Sequence, residues 1–205
     1  MKKTILLQIS VFLLASYFMY SCSSRRSYRT SSSRSPVVAG KSYSESRIMS
    51  RGRFSAAQMT RYFLKKNPKA SAQSIDYIAR LYVKEAAYEG VNHDIAFAQM
   101  CHETNFLRYG NQVKKWQHNY CGLGATDDGS RGLAFPDAQT GVRVHIQHLK
   151  AYGSFSPLRH RLIDPRFKYV KRGTAQTISR LAGTWASDRA YGRHLRAHLS
   201  SIPLR

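Results

Sequence analysis

Ala98-Gln99-Met100-Cys101-His102-Glu103-Thr104-Asn105-Phe106 is a mostly apolar stretch of helical character with a single carboxylate inside it. A charge among apolar neighbours is expensive unless something pairs with it, so Glu103 calls for an explanation. At 3.6-residue spacing Ile95, Gln99, His102, Glu103 and Phe106 share one face. A carboxyl set into such a face is expected to favour its protonated form, as a general acid does. The plainer alternative is a buried glutamate satisfied by a hydrogen bond. By contrast, Asp76, Glu85, Glu89 and Asp94 stand among polar residues or near expected helix ends.

Outward from this stretch the pattern remains helical. A short helix is expected over 55–66, stopped by Asn67-Pro68. Ser74 reads as the cap of a second, in which Ile75, Ile78, Ala79, Tyr82, Val83 and Ala86 repeat at helical spacing up to Gly90. Asn92 or Asp94 caps the Glu103 helix, expected to run to about Leu107. Residues 109–136 are rich in Gly, Asn and Asp, without a sustained period. They read as a long loop or a small hairpin, and ordered loops of that length are often functional. Further helices are expected over 141–152, 174–181 and 187–199, and no internal repeat is visible. The expected fold class is mainly α (α+β), a single domain over 55–205.

The two ends of the chain differ from this domain. Met1-Lys2-Lys3, an apolar run from Ile5 to Tyr20 and then Ser21-Cys22 describe a secretory signal over 1–21. Cys22 is similar to the lipid-modified cysteine of bacterial lipoproteins, with ordinary cleavage or an uncleaved anchor as alternatives. Residues 22–54 follow as an expected tether. From 23 to 54 they hold eleven Ser and seven Arg and too few apolar residues to offset the entropy of ordering. A coil of about 30 residues reaches ~30 Å on average and roughly 100 Å when stretched. The expected location is the bacterial cell envelope, on a membrane beside the wall. Export also argues against nucleic acid as the partner of the Arg/Ser segment.

The formal charge is +22, unevenly spread. Residues 1–55 carry +9 and 143–205 carry +11, whereas 56–142, which hold Glu103, carry only +2. Such a field favours polyanionic partners, here peptide carboxylates, anionic lipid headgroups or acidic envelope polymers. Cys101 and Cys121 are read as packed thiols, with a disulfide as the alternative in an oxidising compartment.

Three chemistries compete. His145/His148 and His194/His198 have chelating spacing, but no His-Glu-x-x-His motif accompanies them, so no metal or other cofactor is expected. Tyr120-Cys121-Gly122-Leu123 bears a faint likeness to the box of wall-degrading cysteine peptidases, yet no helical run follows the thiol to activate it. Glycoside cleavage needs a protonated carboxyl and usually a second carboxylate. Glu103 suits the first role; Asp127 and Asp128, in the glycine-rich loop, are the nearest sequence candidates for the second. Tyr109, Trp116, Tyr120 and Phe135 are aromatic rings that either stack on sugar or pack the loop.

Four boxes, in order, resemble the bacterial glucosaminidase family of cell-wall hydrolases, of the autolysin and flagellar-muramidase type. They are Ala98-Gln99-Met100-Cys101-His102-Glu103-Thr104, then Asn119-Tyr120-Cys121-Gly122-Leu123. Next come Phe135-Pro136 with Gly141-Val142, His145, His148-Leu149 and Ala151-Tyr152, and last Trp185-Ala186-Ser187-Asp188-Arg189-Ala190-Tyr191. The resemblance spans about 74–199. It implies a lysozyme-like fold with a sugar-binding groove and hydrolysis of the β-1,4 bond after N-acetylglucosamine in peptidoglycan. It gives Glu103 the acid role, Asn119 and Gly122 the groove floor, and Tyr191 a place near the cleft; Tyr120 and Trp185 are further candidate substrate contacts. Trp185 departs from the family's usual tyrosine; it can stack, but its indole N–H only donates. Cys121 departs from the usual Phe or Ala, a change read as packing. The alternatives are a muramidase of the same fold and a non-catalytic peptidoglycan-binding lipoprotein.

Overall fold

Ser55 ends an extended lead-in and starts α1 (Ala56–Lys66), its hydroxyl accepting from the Gln58 N–H while the Gln58 side chain accepts from the Ser55 N–H. This reciprocal pair satisfies two helix-end donors at once. The computed structural model describes residues 46–109, 113–125 and 131–204. Ser71, three residues before the expected Ser74, caps α2 (Ala72–Glu89), because its hydroxyl reaches the Ser74 N–H. Gly90 closes α2, and Asn92 caps α3 (His93–Glu103) by accepting from the Asp94 and Ile95 N–H groups. Asp137 caps α4 (Ala138–Gly153), and α5 (Tyr191–Ser200) completes the set.

Two helix ends depart from expectation for visible reasons. α3 stops at Glu103 rather than near Leu107. Thr104 Oγ1 donates to the Met100 carbonyl at 2.7 Å and accepts from the Leu107 N–H at 2.9 Å. The chain then turns left-handed through Asn105, Phe106 and Leu107, at φ 46, 56 and 55. Left-handed conformations cost roughly 1–2 kcal/mol for each residue other than glycine, so something must hold this turn. The Phe106 N–H bond to the Cys101 carbonyl, and the Phe106 ring set edge-on against Tyr62 and Phe63, do so. Of the helices expected over 174–181 and 187–199, the first is a single 3-10 turn, Ile178–Leu181, and the second begins only at Tyr191. Asp188 delays it by folding its carboxylate onto the Ala190 N–H at 2.7 Å.

The fold is mainly helical; among the described residues pairing is limited to the isolated bridges Arg47–Thr177 and Ala182–Ala186, and no hairpin forms. α3 runs through the middle, packed by α2, α4 and α5. Every residue from His93 to Cys101 is buried, so α3 has no single inward face. Glu103 therefore emerges from the core at the helix end and is exposed, which corrects the expectation of a carboxyl buried in a helix face.

Residues 46–54, expected as the end of the tether, belong to the folded unit. Ile48 is fully buried, its N–H bonded to the Gln176 carbonyl and its carbonyl to the Asn92 N–H. Asp94, in the first turn of α3, accepts from the Arg53 and Phe54 N–H groups at 2.7 and 3.1 Å. The signal expected over 1–21, Cys22 and residues 23–45 lie outside the described residues.

Candidate active site

Glu103 is met by two rings from one short segment. The indole Nε1 of Trp185 donates to Glu103 Oε1 at 3.0 Å, and the Tyr191 hydroxyl donates to the same oxygen at 2.5 Å. The segment delivers both because it turns twice. Gly183 and Ala186 close a loop after the 3-10 turn, with the Trp185 N–H on the Leu181 carbonyl. Asp188 then sets Tyr191 as the first residue of α5. Tyr191 is almost fully buried and in turn accepts from Gln99 Nε2 at 3.1 Å. Burial, and then the Glu103 carboxylate, push the Tyr191 phenol well above its ordinary value, so it remains a donor. Trp185 lies against His145, His148 and Tyr152, with ring centroids 5.7, 5.3 and 5.4 Å away.

Two clefts meet at this point. One, of about 120 Å³, is lined by Glu103, His102, Tyr109, Val113, Asn119 and Gly122. The other, of about 220 Å³, lies past Trp185 and includes Gly122, His148, Tyr152, Arg166 and Tyr169. Gly122 belongs to both, at φ +67 with no atom within 4 Å of where a side chain would start. Its bareness leaves the passage between the clefts open. Glu103 is the one acid lining either cleft among the described residues. A larger hollow of about 530 Å³, under residues 50–55 and beside α2, shares no lining residue with them.

The expected site residues fall into distinct places. Glu103, Trp185 and Tyr191 are brought together. Asn119 lines the first cleft but commits its amide to the loop. Its Nδ2 donates to the Leu123 and Leu133 carbonyls, and its Oδ1 accepts from the Leu123 and Cys121 N–H groups. It shapes the groove without a donor to spare. Tyr120 is a correction: it is 3 % exposed and packs against Tyr82 in the core, so it is not a groove contact. Trp116 is exposed but lines neither cleft, whereas Tyr109 stands beside Glu103. Asp127 and Asp128 lie outside the described residues.

The rival chemistries can be placed too. Cys101 and Cys121 are both free and buried, and burial pushes both thiols well above their ordinary range, away from the reactive thiolate. Cys121 packs with Leu123 and Val144 beneath Trp185. His145 is fully buried with its Nδ1 on the Tyr82 hydroxyl, and His148 Nδ1 donates to the buried Asp164 at 2.8 Å. Residues 143–205 contain only two acids, and both organise this groove: Asp164 holds His148, and Asp188 sets Tyr191. Neither was singled out as a site residue from the sequence; their scarcity in a basic third is the signal that could have found them.

A mainly helical domain with an exposed carboxyl at the end of a buried helix, held by ring donors in an open groove, has the architecture of the lysozyme-like glycoside hydrolases. The chain belongs to the glucosaminidase family, described as mannosyl-glycoprotein endo-beta-N-acetylglucosaminidase, whose model matches residues 79–204. It is also 41 % identical over 155 residues to an uncharacterized protein of Borreliella burgdorferi, a match covering 76 % of each chain.

Proposed function

We propose that this protein is a peptidoglycan hydrolase, an endo-β-N-acetylglucosaminidase that uses Glu103 as its general acid. The observation that carries the reading is the pair of donors on one carboxyl oxygen. Trp185 and Tyr191 both fill Glu103 Oε1, so a proton held by this carboxyl sits on Oε2. Oε2 is then the atom that protonates the departing glycosidic oxygen, while the donors fix the carboxyl plane. The indole takes up a place at the acid, so the Trp185 departure from the family's tyrosine leaves a donor there. The second group is either a loop carboxylate, Asp127 or Asp128, or the acetamide of the sugar itself. The wall as substrate accords with a family of glycan hydrolases and with a groove open at both clefts. Cys22 as a lipidated anchor would hold the domain beside that wall; loss of lipid labelling in Cys22→Ser is the check.

The test is mass spectrometry of borohydride-reduced products from purified peptidoglycan. Reduced N-acetylglucosamine ends from the wild type, absent with Glu103→Gln, are the expected result. Turnover in Glu103→Gln is expected to fall by roughly a hundredfold or more. Its stability should stay within ~0.5 kcal/mol, since the residue is exposed. Reduced muramic ends would reassign the bond to a muramidase, and undiminished activity in the variant would remove Glu103 from the mechanism.

A further inference from the structure

The cleft past Trp185 has a charge that a neutral sugar does not need. Asp164, 3 % exposed, is its hidden organiser: it accepts from His148 Nδ1 and from the Arg166 N–H, both at 2.8 Å. The Asp164 and Ile163 N–H groups are themselves held by the Gln147 side chain. Arg166 is thereby fixed at the cleft edge, its guanidinium 5.2 Å from the centroid of the exposed Tyr169 ring. Lys168 Nζ lies 5.1 Å from the same centroid. Among the described residues no carboxylate forms an ion pair with Arg166 or Lys168, and no acid lines this cleft. Arg166 stands at the cleft edge with its backbone N–H held by a buried carboxylate, and Lys168 lies over the same aromatic ring, a cationic rim suited to an anion.

Peptidoglycan offers one. Its N-acetylglucosamine residues are neutral, whereas each muramic residue carries a 3-O-lactyl group ending in a carboxyl or in a peptide stem with carboxylates of its own. We propose that this cleft is a subsite for the carboxylate-bearing 3-O substituent of the muramic residue, bound by Arg166 with Lys168 beside it. The proposal rests on peptidoglycan being the substrate. It makes the protein discriminate between strands of the same backbone by their side groups, with Arg166 as a specificity residue.

Binding is measured by calorimetry in the Glu103→Gln background at fixed, low ionic strength. The ligands are glycan strands with stems, strands stripped to the free lactyl carboxyl, and chito-oligosaccharides of equal length. The first two are expected to bind about tenfold more tightly than the third, or the first alone if the stem supplies the anion. Adding Arg166→Ala should abolish that preference, costing the acidic strands far more affinity than chito-oligosaccharides, while Arg166→Lys keeps part of it. Arg166 is exposed, so its removal leaves the core intact. Equal binding of acidic and neutral strands, or an equal loss on both in Arg166→Ala, would overturn the subsite. Wild-type turnover is read separately: no products with the preference intact defeats the hydrolase and spares the subsite, and products without preference do the reverse.

Discussion

The two rings on Glu103 differ in what lies behind them, and their removal should separate. Trp185→Phe keeps a ring against His145, His148 and Tyr152 but deletes the donor to the carboxyl. Tyr191→Phe deletes its donor and also strands Gln99, whose Nε2 loses its acceptor and whose Oε1 already has no partner. Hydrogen bonds to a charged group contribute about 1.5–3 kcal/mol, so each variant should lose roughly ten- to a hundredfold in kcat on peptidoglycan. Only Tyr191→Phe should also lose about 1–3 kcal/mol of stability in urea unfolding, from the buried amide left unpaired. Similar stability losses in both would mean that the indole bond supports the fold rather than the acid.

Among the helices and loops, the groove depends on one close approach. A Cβ on Gly141, in the first turns of α4, would fall 1.9 Å from the His118 carbonyl oxygen and 3.2 Å from the Tyr120 ring. Gly141→Ala must therefore push the 118–125 loop off α4. An expected loss of about 1–3 kcal/mol in Tm-derived stability, together with weaker glycan binding by Glu103→Gln, checks this. The motif residues Gly141 and Tyr120 were visible in the sequence, but their contact was not. Periodicity located α1, α2, α4 and the start of α3 because caps and apolar spacing are local signals. It misread the end of α3, where a threonine and three left-handed residues override propensity. It also misread 174–190, where tertiary bonds to 46–48 and the Asp188 turn replace helix. Glu103 was legible as an unusual carboxylate and as part of a family box. Its partners were not, since they lie more than 80 positions away, and neither was its exposure, which follows from where α3 stops.

The molecule as a whole should be sensitive to mild acid. Burial, with His148 next to it, holds the His145 imidazole down to about 3 from 6.5, and burial followed by the charges of His102, Lys66 and His194 brings His198 to about 4. Both bind protons more readily when unfolded, so folding loses ground as pH falls below 6.5, until the folded pKa of each is reached. The slope is up to about 1.4 kcal/mol per pH unit for each group. Glu85 and Glu89 add to this lower down. Burial alone would raise them, but Arg143 and Gln139 on Glu85, and Lys150 and the 159–160 N–H groups on Glu89, bring both below 4.5. Their contribution is present above 4.5 and is lost as pH drops through their folded values. Thermal melts from pH 8 to 4 should show a plateau above 7 and a steepening fall below 6.5. His145→Gln should remove the share of that slope due to His145; an unchanged slope would show that this imidazole is not what the acid reaches. The strap at 46–54 has a mechanical consequence. A pull along the chain ahead of Ser46 loads the Arg47–Thr177 bridge, then Ile48, then the two N–H bonds to Asp94. Asp94 and Glu103 lie at opposite ends of α3, about 14 Å apart along its axis. Tension is thus taken up at the far end of the helix, as a cable clamp shields a connector, and the Glu103 end stays unloaded.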